Sequence, residues 1–190
     1  MRQDRGVSSP TSDVSVRIAW ADDAPAIAAV QLRSWQQRYA GLLASSELPS
    51  GPEAVDAVTA AWRGSLVKAA DARQRVLVAL ARADVVGFVM TGPARDPDCD
   101  PVRDGVVEEL TVDPSRQHEG HGSRLLQAAA DTLVADRFDR AVCWVPSTDD
   151  ALRTFLSDAG WGPDGAHRTL ESPSGKPLKE LRLHTALSES

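Results

Sequence analysis

The chain alternates stretches with a period of two residues and stretches with a helical period. Residues 14–18 read VSVRI, and this alternation of apolar and polar positions predicts a half-buried strand. Asp22 and Asp23 then offer N-cap oxygens, and Pro25 suits a first helical turn, so we expect a helix to begin there. The positions of this helix predicted to face the core are Ile27, Val30 and Trp35.

A second helix is predicted after a connecting loop. Gly41, Pro49 and Gly51 interrupt the pattern between residues 39 and 51, which indicates a loop. Apolar residues return at helical spacing from Pro52 onward and form an amphipathic stripe. The stripe consists of Val55, Val58, Trp62, Leu66 and Ala69.

The rest of the chain alternates short apolar runs with two more amphipathic segments. Strands are predicted at residues 75–80, 85–90, 106–112, 140–145, 166–171 and 178–185. Helices are predicted around Leu125–Leu133 and from Thr148 or Asp149 to a terminating glycine, Gly160. Residues 92–105, rich in Pro and Asp, are predicted to form an exposed loop. The pattern predicts a single mixed α/β domain over residues 14–187, preceded by a disordered leader at 1–13.

Composition narrows the class of protein. No apolar run in the 190 residues approaches the length of a membrane span, and a net charge of −6 disfavours broad binding to nucleic acid or anionic membranes. Two cysteines, Cys99 and Cys143, cannot build a disulfide scaffold or a four-ligand zinc site. We therefore expect a reduced cytoplasmic protein that binds neither nucleic acid nor membrane.

The most informative stretch runs from the predicted strand at 106–112 through a glycine-rich turn into a helix. Gly120 and Gly122 would let the backbone approach a ligand, and the helix N-terminus beyond them suits a phosphate. An ordinary strand-to-helix connection is the alternative reading. A dinucleotide fingerprint is excluded because Leu125 stands where its third small residue is required. His118 and His121 lack the spacing of a zinc protease, so no metal is expected.

Residues 117–122 around this turn read QHEGHG, that is Gln, two residues, Gly, one residue and Gly. This segment resembles the signature of the GNAT superfamily of acetyl-CoA-dependent N-acetyltransferases, which is Arg or Gln, two residues, Gly, one residue, and Gly or Ala. Residues 155–161, FLSDAGW, resemble the last family helix, and Trp35 with residues 39–43 resembles the end of its first helix. The resemblance implies a central mixed, mostly antiparallel twisted sheet of six to seven strands flanked by about four helices.

The resemblance also implies a cofactor site for acetyl-CoA. The pantetheine arm would pair with the strand backbone at Leu110, Thr111 and Val112. The pyrophosphate would bind at the turn, whose residues are Gln117, His118, Glu119, Gly120, His121, Gly122 and Ser123. Glu119 brings a negative charge into that turn, which Arg116 and the two histidines would offset. His118 and His121 either add positive charge for a phosphate or are exposed loop residues without a role.

The catalytic residues implied by the family are partly missing. Relatives often carry a glutamate where this chain has Val106 and a proton-donating tyrosine where it has Leu156. By strand parity, Glu108 shares the face of Val106 and Leu110, whereas Glu109 points the other way. Glu108 is therefore the first candidate for the general base and Glu109 the second, and the third reading is a water chain with neither residue as base.

The acceptor is expected to be the primary amine of a small molecule or a peptide. Trp35 and Tyr39 either line its pocket or, for Trp35, belong to the core. The acidic net charge favours a cationic acceptor. A homodimer is possible by family resemblance. The alternative function is a catalytically silent protein that senses acyl-CoA, motivated by Val106 and Leu156.

Overall fold

A computed structural model describes residues 14–172 and 174–187. The predicted leader, residues 1–13, lies outside the described residues. The α-helices are α1 (Ala24–Arg38), α2 (Gly51–Val67), α3 (His121–Ala135) and α4 (Asp150–Asp158). The strands are β1 (Val14–Ile18), β2 (Arg75–Ala81), β3 (Asp84–Pro93), β4 (Asp104–Val112), β5 (Arg140–Pro146), β6 (Gly162–Glu171) and β7 (Pro177–Ala186).

The strands form one seven-stranded sheet in the order β1-β2-β3-β4-β5-β7-β6. Every neighbouring pair is antiparallel except β4 and β5, which run parallel. This is the mixed α/β fold expected from the sequence, with a mostly antiparallel open sheet and helices on both faces. In the part of the chain that the structure describes, no helix is long and apolar enough to cross a membrane.

Two clusters of apolar residues cover the two faces of the sheet. On one face, α3 and α4 contribute Leu125, Leu133 and Leu156, each 0% exposed. On the other face, α1 and α2 pack against β2 and β3, and the Trp62 ring meets the Phe88 ring edge-on at 5.1 Å. The sheet therefore separates an α3/α4 face from an α1/α2 face.

The two parallel strands in the middle of the sheet separate. Their pairing covers only the start of each strand and ends at Val106 opposite Val142. Beyond that point β4 continues to Val112 and β5 to Pro146 without a shared ladder. The edge of β4 that faces β5 thus leaves backbone groups free of strand partners, and the gap opens toward the C-terminal ends of both strands.

A β-bulge in β4 lies beside this gap. Phe88 of β3 pairs with Thr111 and Met90 pairs with Glu108, so Glu109 and Leu110 together oppose Val89. Glu109 takes up the extra residue in a left-handed conformation, with φ of +51°. Such a conformation is strained for a residue other than glycine, and a bulge re-aims the side chains that follow it.

The structure corrects three details of the sequence analysis. Val55 is 40% exposed, so it does not belong to the buried stripe of α2, and Ala69 follows the end of that helix. Trp35 is half-buried, unlike Ile27 and Val30, which are 0% exposed. The segment predicted as an exposed loop at 92–105 lends its ends to β3 and β4, and Ala94 within it is fully buried.

Candidate active site

The gap between β4 and β5 opens into a cavity of about 900 Å³. Its walls come from the end of β4, the glycine-rich turn, the N-terminus of α4 and the C-terminal half of α1. The predicted cofactor residues along it are Leu110, Val112, Gln117, His118, Gly120, Gly122 and Ser123. The strand edge and the turn, identified separately in the sequence, therefore line one cavity.

The glycine-rich turn has the backbone shape that its residues suggested. Gly120 is the N-cap of α3 at φ +82°, and His118 is also left-handed, at φ +64°. A Cβ on Gly122 would lie 3.6 Å from the Phe155 ring and 3.8 Å from Val112, both of which line the cavity. A methyl group therefore fits at residue 122, whereas a larger side chain would extend among the cavity walls. The free amides of the first turn of α3 make this corner suited to an anion.

The negative charge of Glu119 is compensated within the turn. Its Oε2 accepts a hydrogen bond from Nε of Arg116 at 3.0 Å and lies 3.3 Å from Nε2 of His121. His121 is 1% exposed, so the reading of it as an exposed loop histidine is wrong. Its side chain is buried below the turn, where Nδ1 has no hydrogen-bond partner. His121 is therefore not among the residues that line the cavity.

Two residues of α1 hold the free edge of β4. Ser34 Oγ donates to the carbonyl oxygen of Val112 at 3.2 Å, and Arg38 Nη2 donates to that of Leu110 at 3.4 Å. Ser34 and Arg38 are one helical turn apart, so they reach two carbonyls that point to the same side of the strand. Arg38 Nε also lies 3.8 Å from Asp149, whose other oxygen accepts from the Leu152 amide and caps α4. The sequence pattern does not single out Ser34 and Arg38, because their partners are 78 and 72 residues away.

Glu108 lies on the α1/α2 face of the sheet. Its cross-strand partner Met90 packs against the α1/α2 core, and directly paired residues share a face. The bulge puts Leu110 on the α3/α4 face, so the expectation that Glu108 and Leu110 share a face is wrong. Glu108 is exposed on this face. The protein atoms around its carboxyl still desolvate it in part, which raises its pKa above the ordinary value; the charge of Glu109 adds to the rise, and Arg168 opposes it.

Glu109 and Tyr39 lie near one another beside the bulge. Glu109 is half-buried, and its Oε2 has neither solvent contact nor a hydrogen-bond partner. Tyr39 follows directly on α1, and desolvation raises the pKa of its hydroxyl, with Arg38 opposing the rise and Glu109 adding to it. Trp35 is half-buried one turn earlier in α1. Thr111 is buried on the α1/α2 face, away from the cavity walls.

The α1/α2 face beyond Glu108 is covered by the loop between β3 and β4. Arg182 of β7, 4% exposed, donates to Asp98 at 2.8 Å and to Asp164 at 2.7 Å. Asp96 accepts from Arg182 at 3.3 Å and from the Trp144 indole at 3.0 Å. The acidic residues 96 and 98, read from sequence as a solvated loop, are therefore anchors of that loop. Nothing in the local pattern around Arg182 indicated these distant partners.

Two residues considered in the sequence analysis, Leu156 and Cys143, are both buried. Leu156, in the position of the family tyrosine, is 0% exposed in the α3/α4 core. Cys143 is buried, and desolvation raises the pKa of its thiol to about 12, so it is not a nucleophile at neutral pH. Across residues 14–172 and 174–187, no three His, Cys, Asp or Glu side chains converge as they would around a metal ion.

Several solved structures share this fold. The PaiA N-acetyltransferase of Thermoplasma acidophilum, solved with coenzyme A, is 15% identical with a TM-score of 0.70, over 91% of this chain and 98% of that one. The yncA protein of Salmonella typhimurium, with its cofactor acetyl-CoA, is 18% identical with a TM-score of 0.69, over 93% and 95%. The ribosomal-protein-alanine N-acetyltransferase of Brucella melitensis is 17% identical with a TM-score of 0.70, over 91% and 99%.

The sequence comparison agrees with the structural one. No curated protein matches the chain significantly in sequence. The model of the acetyltransferase (GNAT) family, however, matches residues 29–161, which run from α1 through β4, the glycine-rich turn and α4. The resemblance found in the signature residues is therefore confirmed, and the chain belongs to the GNAT acetyltransferase family.

Proposed function

We propose that the chain transfers an acetyl group from acetyl-CoA to the primary amine of a small molecule or a peptide by direct attack. The proposal rests on one observation, that the free β4 edge and the glycine-rich turn line the same cavity. Glu108 is on the same strand, with its side chain on the face opposite that of Leu110. A ligand bound along the edge would then meet an acceptor arriving from the α1/α2 face.

The residues of the cavity fit acetyl-CoA, which supplies an activated acetyl thioester. Gly122 leaves room beside Phe155, and the amides of residues 118–123 face a corner suited to the pyrophosphate. The amides of Leu110 and Val112 lie beyond the β4–β5 ladder and suit an extended pantetheine arm. Arg116 would add positive charge at the cavity wall, although it is paired with Glu119.

Transfer to an amine requires a base and an oxyanion donor. A neutral amine is the nucleophile, so a base must accept the ammonium proton, and Glu108 is our first candidate because its raised pKa suits proton transfer nearer neutrality. Glu109 remains the second candidate, and a water chain without either residue remains the third. A backbone N–H of β4 at the bulge is the proposed donor to the tetrahedral oxyanion.

The leaving thiolate would depart without a side-chain acid at the family position. Leu156 carries no proton to donate and is buried. A thiolate is a fair leaving group because thiols ionise near pH 8.5. We therefore propose that water, or the proton taken from the amine, neutralises the thiolate.

The alternative is a protein that binds acyl-CoA and regulates a partner without turnover. Val106 and Leu156, at the usual places of a base and an acid, favour it. A thiol-release assay with acetyl-CoA over a panel of small amines and peptides separates the two functions. Amine-dependent release supports the transferase, binding without release supports the sensor, and absence of acetyl-CoA binding contradicts both.

We further propose that the protein works in the cytoplasm, where acetyl-CoA is available and thiols stay reduced. Both cysteines are unpaired, Cys143 buried and Cys99 partly so, as suits a reducing compartment. A homodimer and a cationic acceptor remain part of the proposal. Equilibrium sedimentation tests the homodimer, and the amine panel tests the cationic acceptor.

A further inference from the structure

Arg38 lies where the gap between β4 and β5 is open. It is the last residue of α1, and it lines the cavity. Its Nη2 donates to the Leu110 carbonyl at 3.4 Å, and its Nε lies 3.8 Å from Asp149 Oδ2, at the start of α4. The guanidinium therefore spans the gap, from the free edge of β4 to the helix that follows β5 in the chain.

The positive charge of Arg38 is only partly compensated by these contacts. The hydrogen bond to Leu110 is long, and the other oxygen of Asp149 accepts from the Leu152 amide at 3.0 Å. The second arginine on the cavity wall, Arg116, is instead paired at 3.0 Å with Glu119. Of these two arginines, Arg38 is thus the one whose charge is more available to a group in the cavity.

The charge of Arg38 acts on the ionisable groups around it, one of which is a thiol. Desolvation raises the pKa of Tyr39, and the charge of Arg38 opposes that rise. Burial raises the pKa of the Cys143 thiol, in β5, to about 12, and Arg38 again acts against burial. The carboxylates that add to the rise at Tyr39 are Glu109, Glu180 and Asp149. A sulfur atom on the β5 side of the gap therefore lies within the field of Arg38.

The bulge of β4 indicates where a reacting sulfur would lie. Glu109 and Leu110 form the bulge, and a backbone N–H there is the proposed donor to the oxyanion. The carbon that bears the oxyanion also bears the sulfur, so the sulfur would lie one bond farther along the same stretch of strand. Arg38 reaches the Leu110 carbonyl in this stretch. An extended arm paired with β4 would take that carbonyl as an acceptor and so free Nη2 of Arg38.

A positive charge at this place meets a need that the rest of the site leaves open. Leu156, in the position of the family tyrosine, is 0% exposed and has no proton to give. A guanidinium does not give up its proton in proteins, but a fixed cation stabilises negative charge as that charge develops.

We propose that Arg38 is a catalytic residue whose positive charge stabilises the leaving thiolate of CoA, in place of a proton-donating side chain. The amine nitrogen bonds to the thioester carbon, the carbon–sulfur bond breaks, and its electron pair stays on the sulfur. The ammonium proton goes to the base, and Arg38 keeps its own proton throughout. Water, or the proton taken from the amine, then neutralises the thiolate. This inference rests on the proposed function and adds a residue to its mechanism.

The test measures the pKa of the CoA thiol in the complex, without an acceptor. The probe is CoA with an isotope-labelled carbon beside its sulfur, whose NMR shift follows ionisation of the thiol in a pH titration with protein in excess. Arg38→Met removes the charge and the hydrogen-bond donors, whereas Arg38→Gln removes the charge and keeps a donor.

Two control variants separate the charge from other effects. Arg63→Met removes the same charge at an exposed position of α2. Ser34→Ala removes the neighbouring hydrogen bond from α1 to β4, at the Val112 carbonyl, without changing a charge. A change in the bound thiol that is specific to the Arg38 variants therefore reports the charge of this residue.

We expect the bound thiol in the native chain to ionise at lower pH than the thiol of free CoA, because a nearby cation favours the charged form. Its pKa should rise by about one unit in both Arg38 variants and stay at the native value in both controls. The single-turnover rate of transfer, measured with an amine that the native chain acetylates, should fall about tenfold in the Arg38 variants.

Three results would overturn this inference alone. They are a native pKa of the bound thiol in a folded Arg38 variant, an equal rise in Ser34→Ala, and an unchanged single-turnover rate. Should neither Arg38 variant fold, a bound thiol that ionises no more readily in the native chain than in free CoA has the same force. All of these leave the proposed transferase intact, whereas absence of thiol release with every amine of the panel contradicts the transferase and, with it, the role of Arg38.

Discussion

Val107 and Leu110 pack on the same face of the sheet, in the core beneath α3, although their places in β4 would put them on opposite faces of a regular strand. The bulge at Glu109 accounts for this, because it adds one residue between them. As a result the Leu110 side chain faces the α3/α4 side of the sheet and the Glu108 side chain the α1/α2 side. A base on Glu108 would thus act from the α1/α2 side, to which α1, part of the cavity wall, also belongs.

Glu108→Gln is expected to lower kcat/KM about a hundredfold, as the loss of a general base does. A base acts in its ionised form, so activity of the native chain should fall as pH falls through the pKa of Glu108. Since that pKa is raised, the acidic limb should lie above 4.5, the ordinary value for a glutamate. The measurement is the pH profile of kcat/KM for both proteins.

Glu109→Gln is the matched control for that profile. If Glu108 is the base, Glu109→Gln keeps the acidic limb. Full activity and an intact limb in Glu108→Gln would remove Glu108 from the mechanism. Loss of the limb in Glu109→Gln alone would give the role to Glu109.

Glu108→Gln should also stabilise the fold at neutral pH. The folded-state pKa of Glu108 is raised, so folding favours its protonated form and this contribution is lost as pH rises through that pKa. Glutamine keeps the neutral shape, so Glu108→Gln should match the native chain below about pH 4. Near pH 7 it should unfold at slightly higher urea, the gain being small because Glu108 is exposed and solvent screens its charge. Urea denaturation at the two pH values measures the difference. Equal midpoints at pH 7 would show that Glu108 is not desolvated.

Gly122→Val should weaken CoA binding at least tenfold, or about 1.4 kcal/mol. The Cβ at residue 122 would have room, at 3.6 Å from Phe155, but the two methyl groups beyond it would compete with the ligand. Gly122→Ala is the matched control and should keep most of the affinity. Titration calorimetry of both folded variants with CoA makes the comparison, and native affinity in Gly122→Val would exclude this turn from the cofactor site.

Arg182→Met should destabilise the fold by about 3 kcal/mol, since removing one partner of a buried ion-pair cluster leaves charges unpaired. Asp164 and Asp96 would lose the donor at the base of the 94–103 loop. The hydrogen bond from Arg182 lowers the pKa of Asp98 to about 2, so the variant should return this pKa toward 3.8. Chemical denaturation and carboxyl NMR titration test the two effects. If Asp98 kept its low pKa in the variant, Arg182 could not be the cause of that low pKa.

Local pattern was enough to predict most elements. Alternation gave β1 at Val14–Ile18, and the N-cap and proline signals gave the start of α1. The signature at residues 117–122 indicated the family and, through it, the sheet. These features are encoded by neighbours in sequence, so they can be read without the fold.

The parts that could not be predicted depend on distant residues. A bulge changes strand parity without a glycine to mark it, which is why the face of Leu110 was misjudged. His121 sits next to a glycine-rich turn yet is buried, because packing of α3 decides its environment. Glu47 accepts a hydrogen bond from the Ser174 amide, 127 residues away, and no pattern in the sequence around either residue indicates the other.

The proposed transfer of an acetyl group from acetyl-CoA to an amine can be followed by mass spectrometry of an amine panel incubated with acetyl-CoA and the protein. Thiol release is followed in parallel, and Gly122→Val is the matched control. We expect an acetylated amine, identified by a mass gain of one acetyl group, and an equal amount of free CoA thiol, both strongly reduced in the variant. Tight acetyl-CoA binding with neither acetylated product nor thiol release across the panel would contradict it.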